Sequence, residues 1–152
     1  PPQSGVSILQ WSLLSSLFPC IGFKIWFTPD LGVQGLITIF KAEMNGEPFG
    51  TFYYGLRVLI RGRRINIEQL NSTGYLYIGA GAGYREDYHY EAKGFGQEIF
   101  VGFELRPGNM PYLGLNLEFG LRNSPSSLIQ AETRIAPAGG INYYFPVKNS
   151  NQ

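Results

Sequence analysis

The chain is short of charge, has one cysteine and one histidine, and lacks any long apolar run; each shortage removes a class of protein. Charged residues occupy 15% of the 152 positions, below the roughly 25% of ordinary soluble domains. With Cys20 alone, no disulfide can close within the chain and no cysteine-based metal site can be assembled; Cys20 reads as a small, partly buried residue. Twelve basic residues against eleven acidic ones leave a net charge of +1. That balance gives no electrostatic basis for nucleic-acid binding, despite the local Arg61-Gly62-Arg63-Arg64 cluster. Ser, Gly or Pro interrupts every apolar stretch well before the about 20 residues a membrane helix needs, so a helical membrane protein is excluded. Pro1-Pro2-Gln3 carries neither a basic segment nor a cleavage site, so for an exported protein the signal peptide is expected to be already removed.

What the chain has in quantity is glycine (20 residues) and aromatics (15%), arranged in period-two alternation. In 97–105 and 113–121, joined by Arg106-Pro107-Gly108-Asn109-Met110-Pro111, one wall holds Ile99, Val101, Phe103, Leu105, Leu113, Leu115, Leu117, Phe119 and Leu121. The other holds glycine, amide and carboxylate. The same division recurs on 21–27 and 31–39 around Thr28-Pro29-Asp30. It recurs again on 50–60, where Phe52, Tyr54, Leu56, Val58 and Ile60 oppose Thr51, Tyr53, Gly55 and Arg57. Between Leu76 and Tyr84 the run Gly79-Ala80-Gly81-Ala82-Gly83 leaves room on the crowded side. Charges confined to the glycine side suggest a β-barrel turned inside out for lipid.

Strands are expected near 5–14, 20–28, 31–42, 49–61, 74–85, 95–106, 112–122 and 135–145, followed by a short tail, 146–152. The fold class is therefore all-β: one domain, an eight-stranded antiparallel up-and-down transmembrane barrel with a polar, side-chain-filled lumen. Residues 5–14 must supply a strand for an even count, but their parity is ambiguous. Pro137 is expected at a strand start or a bulge. Glu43 to Pro48, residues 62–73, 86–94 and 123–134 read as connections, the second with a short helical turn.

The lumen should hold Lys24, Arg57, Arg61, Glu98, Glu104, Arg106, Glu118 and Arg122 as an ion-pair network that plugs rather than conducts. On the lipid face each Arg or Lys near mid-membrane would cost roughly 2 to 4 kcal/mol, which fixes this face as the inside. Phe52, Leu56, Val58, Ile99, Val101, Phe103, Leu115, Leu117 and Phe119 should then face lipid. Outward tyrosines and tryptophans can form interfacial girdles. His89, flanked by Asp87 and Glu91, reads as a solvated loop residue, and no metal, cofactor or catalytic residue is expected. The serines have no elbow motif near them, and Gly79–Gly83 lies within a strand pattern with no following helix or lysine.

In these features residues 5–145 resemble the small bacterial outer-membrane barrels typified by the OmpA membrane domain, OmpX and OmpW. The likeness rests on repeated amphipathic strands, the short hairpins at Phe27-Thr28-Pro29-Asp30-Leu31-Gly32 and Leu105-Arg106-Pro107-Gly108, and a closing Asn142-Tyr143-Tyr144-Phe145. The resemblance implies a bacterial outer-membrane location and outer-membrane lipid as surroundings. It also implies Tyr143 and Phe145 as a signal to the barrel-insertion machinery, although Pro146 to Gln152 follow the aromatic. The expected role is a structural anchor or interaction protein acting through loops or tail, alone or with other envelope proteins. The alternatives are a soluble lipocalin-like barrel holding a small apolar ligand, which would turn the large apolar face inward, and a lipid-modifying barrel enzyme.

Overall fold

Alternating β-branched, aromatic and small residues build eight strands: β1 Gln3–Trp11, β2 Cys20–Trp26, β3 Leu31–Met44, β4 Glu47–Ile67, β5 Ser72–Asp87, β6 Ala92–Pro107, β7 Leu113–Ser124 and β8 Glu132–Tyr144. The computed structural model describes residues 3–14, 18–88, 92–124 and 132–146. Each strand pairs antiparallel with the next, and β1 pairs with β8, so the sheet closes into an up-and-down barrel. The turns after β2, β4 and β6 lie at the same end as the start of β1 and the end of β8, here the terminus side; the end of β1, the β3–β4 turn and the ends of β5 and β7 lie at the opposite, loop-side end.

All four expected connections are in part continuations of strand. The β4–β5 ladder runs past a bulge between Arg61 and Arg64 down to Ile67↔Ser72, so 64–67 and 72–73 are paired backbone. Only Glu68–Leu70 form the expected helical turn, one turn of 3-10 helix closed by Asn71 in the left-handed conformation. Glu43 to Pro48 likewise stay paired to Met44↔Glu47 around Asn45 (φ 54°) and Gly46 (φ 79°). Two consecutive positive φ values make this the two-residue hairpin turn that an Asn-Gly pair favours. Residues 86, 87, 93 and 94 belong to the β5–β6 ladder, so the charged segment there is mostly strand. Residues 132–134 also lie in β8. His89, Tyr90, Glu91, the segment 125–131 and most of the tail fall outside the described residues.

The N-terminal strand explains its own ambiguity. A register shift between Ser7 and Gln10 lets both Ile8 and Leu9 face outward, while Ser7 and Gln10 are buried. A bulge adds one residue to one strand of a pair, so parity read on one side of it fails on the other. The strand also ends at Trp11 rather than at residue 14: Leu13 and Leu14 are 1% and 2% exposed and fold into the barrel mouth. Pro137 pairs with Phe119 two residues beyond Gly139, the last β8 partner of β1, where β8 has a ladder on its β7 side alone.

Candidate functional site: a lumen crossed by ion pairs

The inward parity of each strand delivers a different polar residue to the lumen: Ser7 from β1, Lys24 from β2, Gln34 from β3, Arg57 from β4, Tyr77 from β5, Glu98, Glu104 and Arg106 from β6, Asn116 and Glu118 from β7, Asn142 and Tyr144 from β8. All are buried. An eight-stranded barrel is just wide enough for side chains to fill it, and here they reach from wall to wall. Lys24 Nζ meets Glu104 Oε2 at 3.0 Å, joining β2 to β6, four strands away in either direction.

Two carboxylate centres organise the interior. At the first, Glu104 also pairs with Arg106 Nε at 2.9 Å and accepts from Tyr144 Oη at 2.6 Å. At the second, Glu118 pairs with Arg57 and accepts from Tyr77 Oη at 2.7 Å and Asn116 Nδ2 at 3.0 Å. Arg57 carries three loads: the Glu118 pair, a 2.8 Å ion contact from Nε to Glu98, and a 2.9 Å bond from Nη1 to Gln34. Its guanidinium lies 3.9 Å over the Phe100 ring. Amides and hydroxyls join the centres, since Asn142 donates to Asn116 at 3.1 Å and Ser7 to Asn142 at 2.8 Å, with Gln34 donating to Ser7 at 2.8 Å. A buried charge costs several kcal/mol to desolvate, and the pairs and hydrogen bonds above offset that cost at Lys24, Arg57, Glu104 and Glu118, while Arg106 keeps one N–H group without a partner.

The segment after β1 covers the loop-side end of the lumen. Ser12 Oγ donates to Glu98 at 3.1 Å, Arg122 donates to the Leu13 carbonyl at 2.7 Å, and Arg85 to the Leu14 carbonyl at 3.3 Å. Leu13 packs in one buried cluster with Trp26, Leu59, Tyr77, Phe100 and Tyr144, and Leu14 in another with Cys20, Leu36 and Tyr53.

Of the eight residues expected in the lumen, Lys24, Arg57, Glu98, Glu104, Arg106 and Glu118 meet in ion pairs. Arg61 has no carboxylate within 4.0 Å among the described residues; it stacks over Trp26 at 3.8 Å and Tyr75 at 4.4 Å instead. One bond of Arg122 runs to the backbone carbonyl of Leu13. Sequence reasoning left Ser7, Ser12, Gln34, Tyr77, Asn116, Asn142 and Tyr144 out of the network. Strand parity puts five of them on the inner wall without showing whom they meet; Ser7 and Ser12 lie on either side of the bulge that hides the parity of β1.

On the outer wall Leu56, Val58, Ile99, Val101, Leu115, Leu117 and Phe119 are exposed, and Phe52 and Phe103 are half-exposed. This is the reverse of a lipocalin, whose large apolar side chains turn inward. Towards the loop-side end, Tyr54, Tyr84 and Phe95 are register partners across β4, β5 and β6, with ring centroids 5.7 and 5.3 Å apart. At the other end Tyr143 and Phe145 face outward, their rings 6.0 Å apart.

No family model matches the chain. No curated protein matches it either. Among solved structures it is similar to Ail, the attachment invasion locus protein of Yersinia pestis, with 14% identity over 95% of this chain and 93% of that one and a TM-score of 0.34. The strand pairing described above, not this likeness, carries the fold.

Proposed function

We propose that the chain is an integral barrel of a bacterial outer membrane, closed by its own side chains and serving as an anchor that presents loop-side hairpins to partners in the cell envelope. One observation supports this above the others: the apolar band runs round the whole outer wall while charged residues pair inside. Soluble monomers rarely expose an apolar patch beyond a few hundred Å², whereas Phe23, Ile39, Leu56, Ile78, Ile99, Leu117 and Ile135 are all exposed here on successive strands. The apolar run of β7, Leu113 to Leu121, has about the nine residues that a tilted strand needs to cross a bilayer core. The tyrosines and phenylalanines at the two ends fit the aromatic girdles of such barrels.

Within this reading Tyr143 and Phe145 serve as the strand signal for the insertion machinery, and the surrounding partner is outer-membrane lipid. The hairpin 40–49 extends past the end of β2 and offers Lys41, Glu43, Met44 and Glu47 as exposed contact residues. The test is the mobility of the refolded protein in detergent gels with and without boiling, together with extraction from membranes. A heat-dependent shift and retention in the membrane fraction after alkaline wash are expected. A chain that stays monomeric and folded in buffer without detergent overturns the reading.

A further inference from the structure

We propose that the terminus-side mouth of the barrel is a binding site for a phosphate-class oxyanion, held by Arg61 and Arg106. The proposal goes beyond the anchoring role and stands on the geometry of this mouth. Arg61 lies 4.4 Å and Arg106 5.1 Å from the centroid of the same ring, Tyr75, so both guanidinium ions border one aromatic side chain. Aromatic faces fix both in place: Trp26 lies 3.8 Å under Arg61 and Tyr144 3.9 Å under Arg106. Such stacking attracts a cation but leaves the in-plane N–H groups unsatisfied.

Those N–H groups have few acceptors. Arg61 Nη1 reaches the Pro29 carbonyl at 3.4 Å, while its Nε and Nη2 are buried with no hydrogen-bond partner. Nε and Nη2 form one edge of the guanidinium, the fork that matches two oxygens of a phosphate or carboxylate. Arg106, only 8% exposed, donates through Nε to Glu104 and through Nη1 to Gln3 at 2.9 Å, leaving Nη2 buried and unpartnered. The indole Nε1 of Trp26, beneath Arg61, is a fourth buried donor without an acceptor. A buried donor left unpaired costs about 1–3 kcal/mol, and more when charged.

Charge agrees with the donor count. At this end Lys24, Arg61 and Arg106 face a single lumen carboxylate, Glu104, which Lys24 and Arg106 already share. Asp30, on the adjoining turn, has no carboxylate oxygen within 4.0 Å of either arginine. One carboxylate group fills one fork, whereas a tetrahedral oxyanion has oxygens left over for further donors such as Arg106 Nη2, which favours the phosphate class. The source is either free phosphate or the phosphodiester of a lipid headgroup.

The experiment uses the refolded barrel in a maltoside detergent, which carries no phosphate, on a Trp11→Phe background that leaves Trp26 as the sole indole. Trp26 emission is followed during titration with inorganic phosphate and, separately, with phosphatidylglycerol in mixed micelles. A saturable change is expected with at least one ligand. It should weaken at least tenfold in Arg61→Gln, which breaks no ion pair, and persist in the exposed control Arg63→Gln. Saturation by inorganic phosphate identifies a free anion, and saturation by the lipid alone identifies a headgroup. Absence of a saturable response to both ligands, or an equal response in Arg61→Gln with its heat-shifted gel mobility intact, overturns the proposal. Because folding is read by gel mobility and binding by fluorescence, failure of the site leaves the membrane reading untouched.

Discussion

Lys24 on β2 and Glu104 on β6 meet at 3.0 Å across the full width of the barrel, each about 1% exposed. A pair that joins opposite walls does more than neutralise charge, because it limits how far the walls can separate. Removing one partner leaves the other charged and buried, which typically costs about 3–5 kcal/mol. Lys24→Met and Glu104→Gln are each expected to destabilise the barrel by about that amount. The double variant should cost less than the sum of the two. Urea titration of the barrel in lipid vesicles, read as a double-mutant cycle, checks both statements. Strict additivity would show that the pair is not coupled.

Gly102 and Tyr77 form a second cross-strand relation, since they are register partners on β6 and β5. A Cβ placed on Gly102 would stand 2.6 Å from the Tyr77 hydroxyl oxygen and close to its ring. The ring can leave only by giving up its 2.7 Å bond to Glu118. Overpacking of this kind costs about 1–3 kcal/mol before the lost hydrogen bond is counted. Gly102→Val is therefore expected to lower stability and folding yield. Gly62→Ala, where the nearest atom is 3.5 Å away, should change little. Comparison of the two heat-shifted gel fractions at matched urea concentrations makes the measurement.

Leu13 covers the loop-side end of the lumen, and its carbonyl accepts from Arg122 while its side chain is 1% exposed. Leu13→Ala removes buried volume and is expected to cost about 2–5 kcal/mol if the mouth cannot collapse into the gap. The same change should raise the access of water to the interior. Amide hydrogen exchange at inward β4 and β6 positions, compared with the parent protein, tests it. Unchanged exchange together with unchanged stability would mean that the segment does not seal the barrel.

The strands were legible in the sequence wherever one wall faced apolar surroundings and the other the crowded interior, as at Ile99 to Leu105 opposite Glu98 to Arg106. The signal faded where the surroundings were the same on both sides. Residues 40–49 and 62–73 continue their ladders, but both faces there meet a polar medium, so alternation stops while backbone pairing does not. At Ser7 to Gln10 the bulge reversed parity within one strand. For the lumen, strand parity indicates which residues point inward, but not which of them meet. Lys24 reaches Glu104, and Arg57 joins Glu98 to Glu118, because of the stagger of strands around the ring, a three-dimensional quantity with no local trace. Parity turns Tyr77 and Tyr144 inward, but only the fold shows that their hydroxyls are donors to the two carboxylate centres.

Val58 and Met44 give the sharpest test of where the membrane lies. Both are exposed, at 45% and 62%, so burial within the protein does not distinguish them. Val58 stands in the apolar band, paired with Val33 and Ala80, whereas Met44 flanks the Asn45-Gly46 turn. An arginine on the lipid face costs about 2–4 kcal/mol near the bilayer midplane and falls towards 0–1 kcal/mol at the interfaces. Val58→Arg should therefore destabilise the vesicle-inserted barrel by about 2–4 kcal/mol, and Met44→Arg by less than about 1 kcal/mol. In detergent micelles, where water and headgroups lie closer to every position, the difference between the two should shrink. Equal effects in vesicles would place Val58 outside the hydrocarbon core and remove the energetic basis for treating the outer wall as a lipid-facing band.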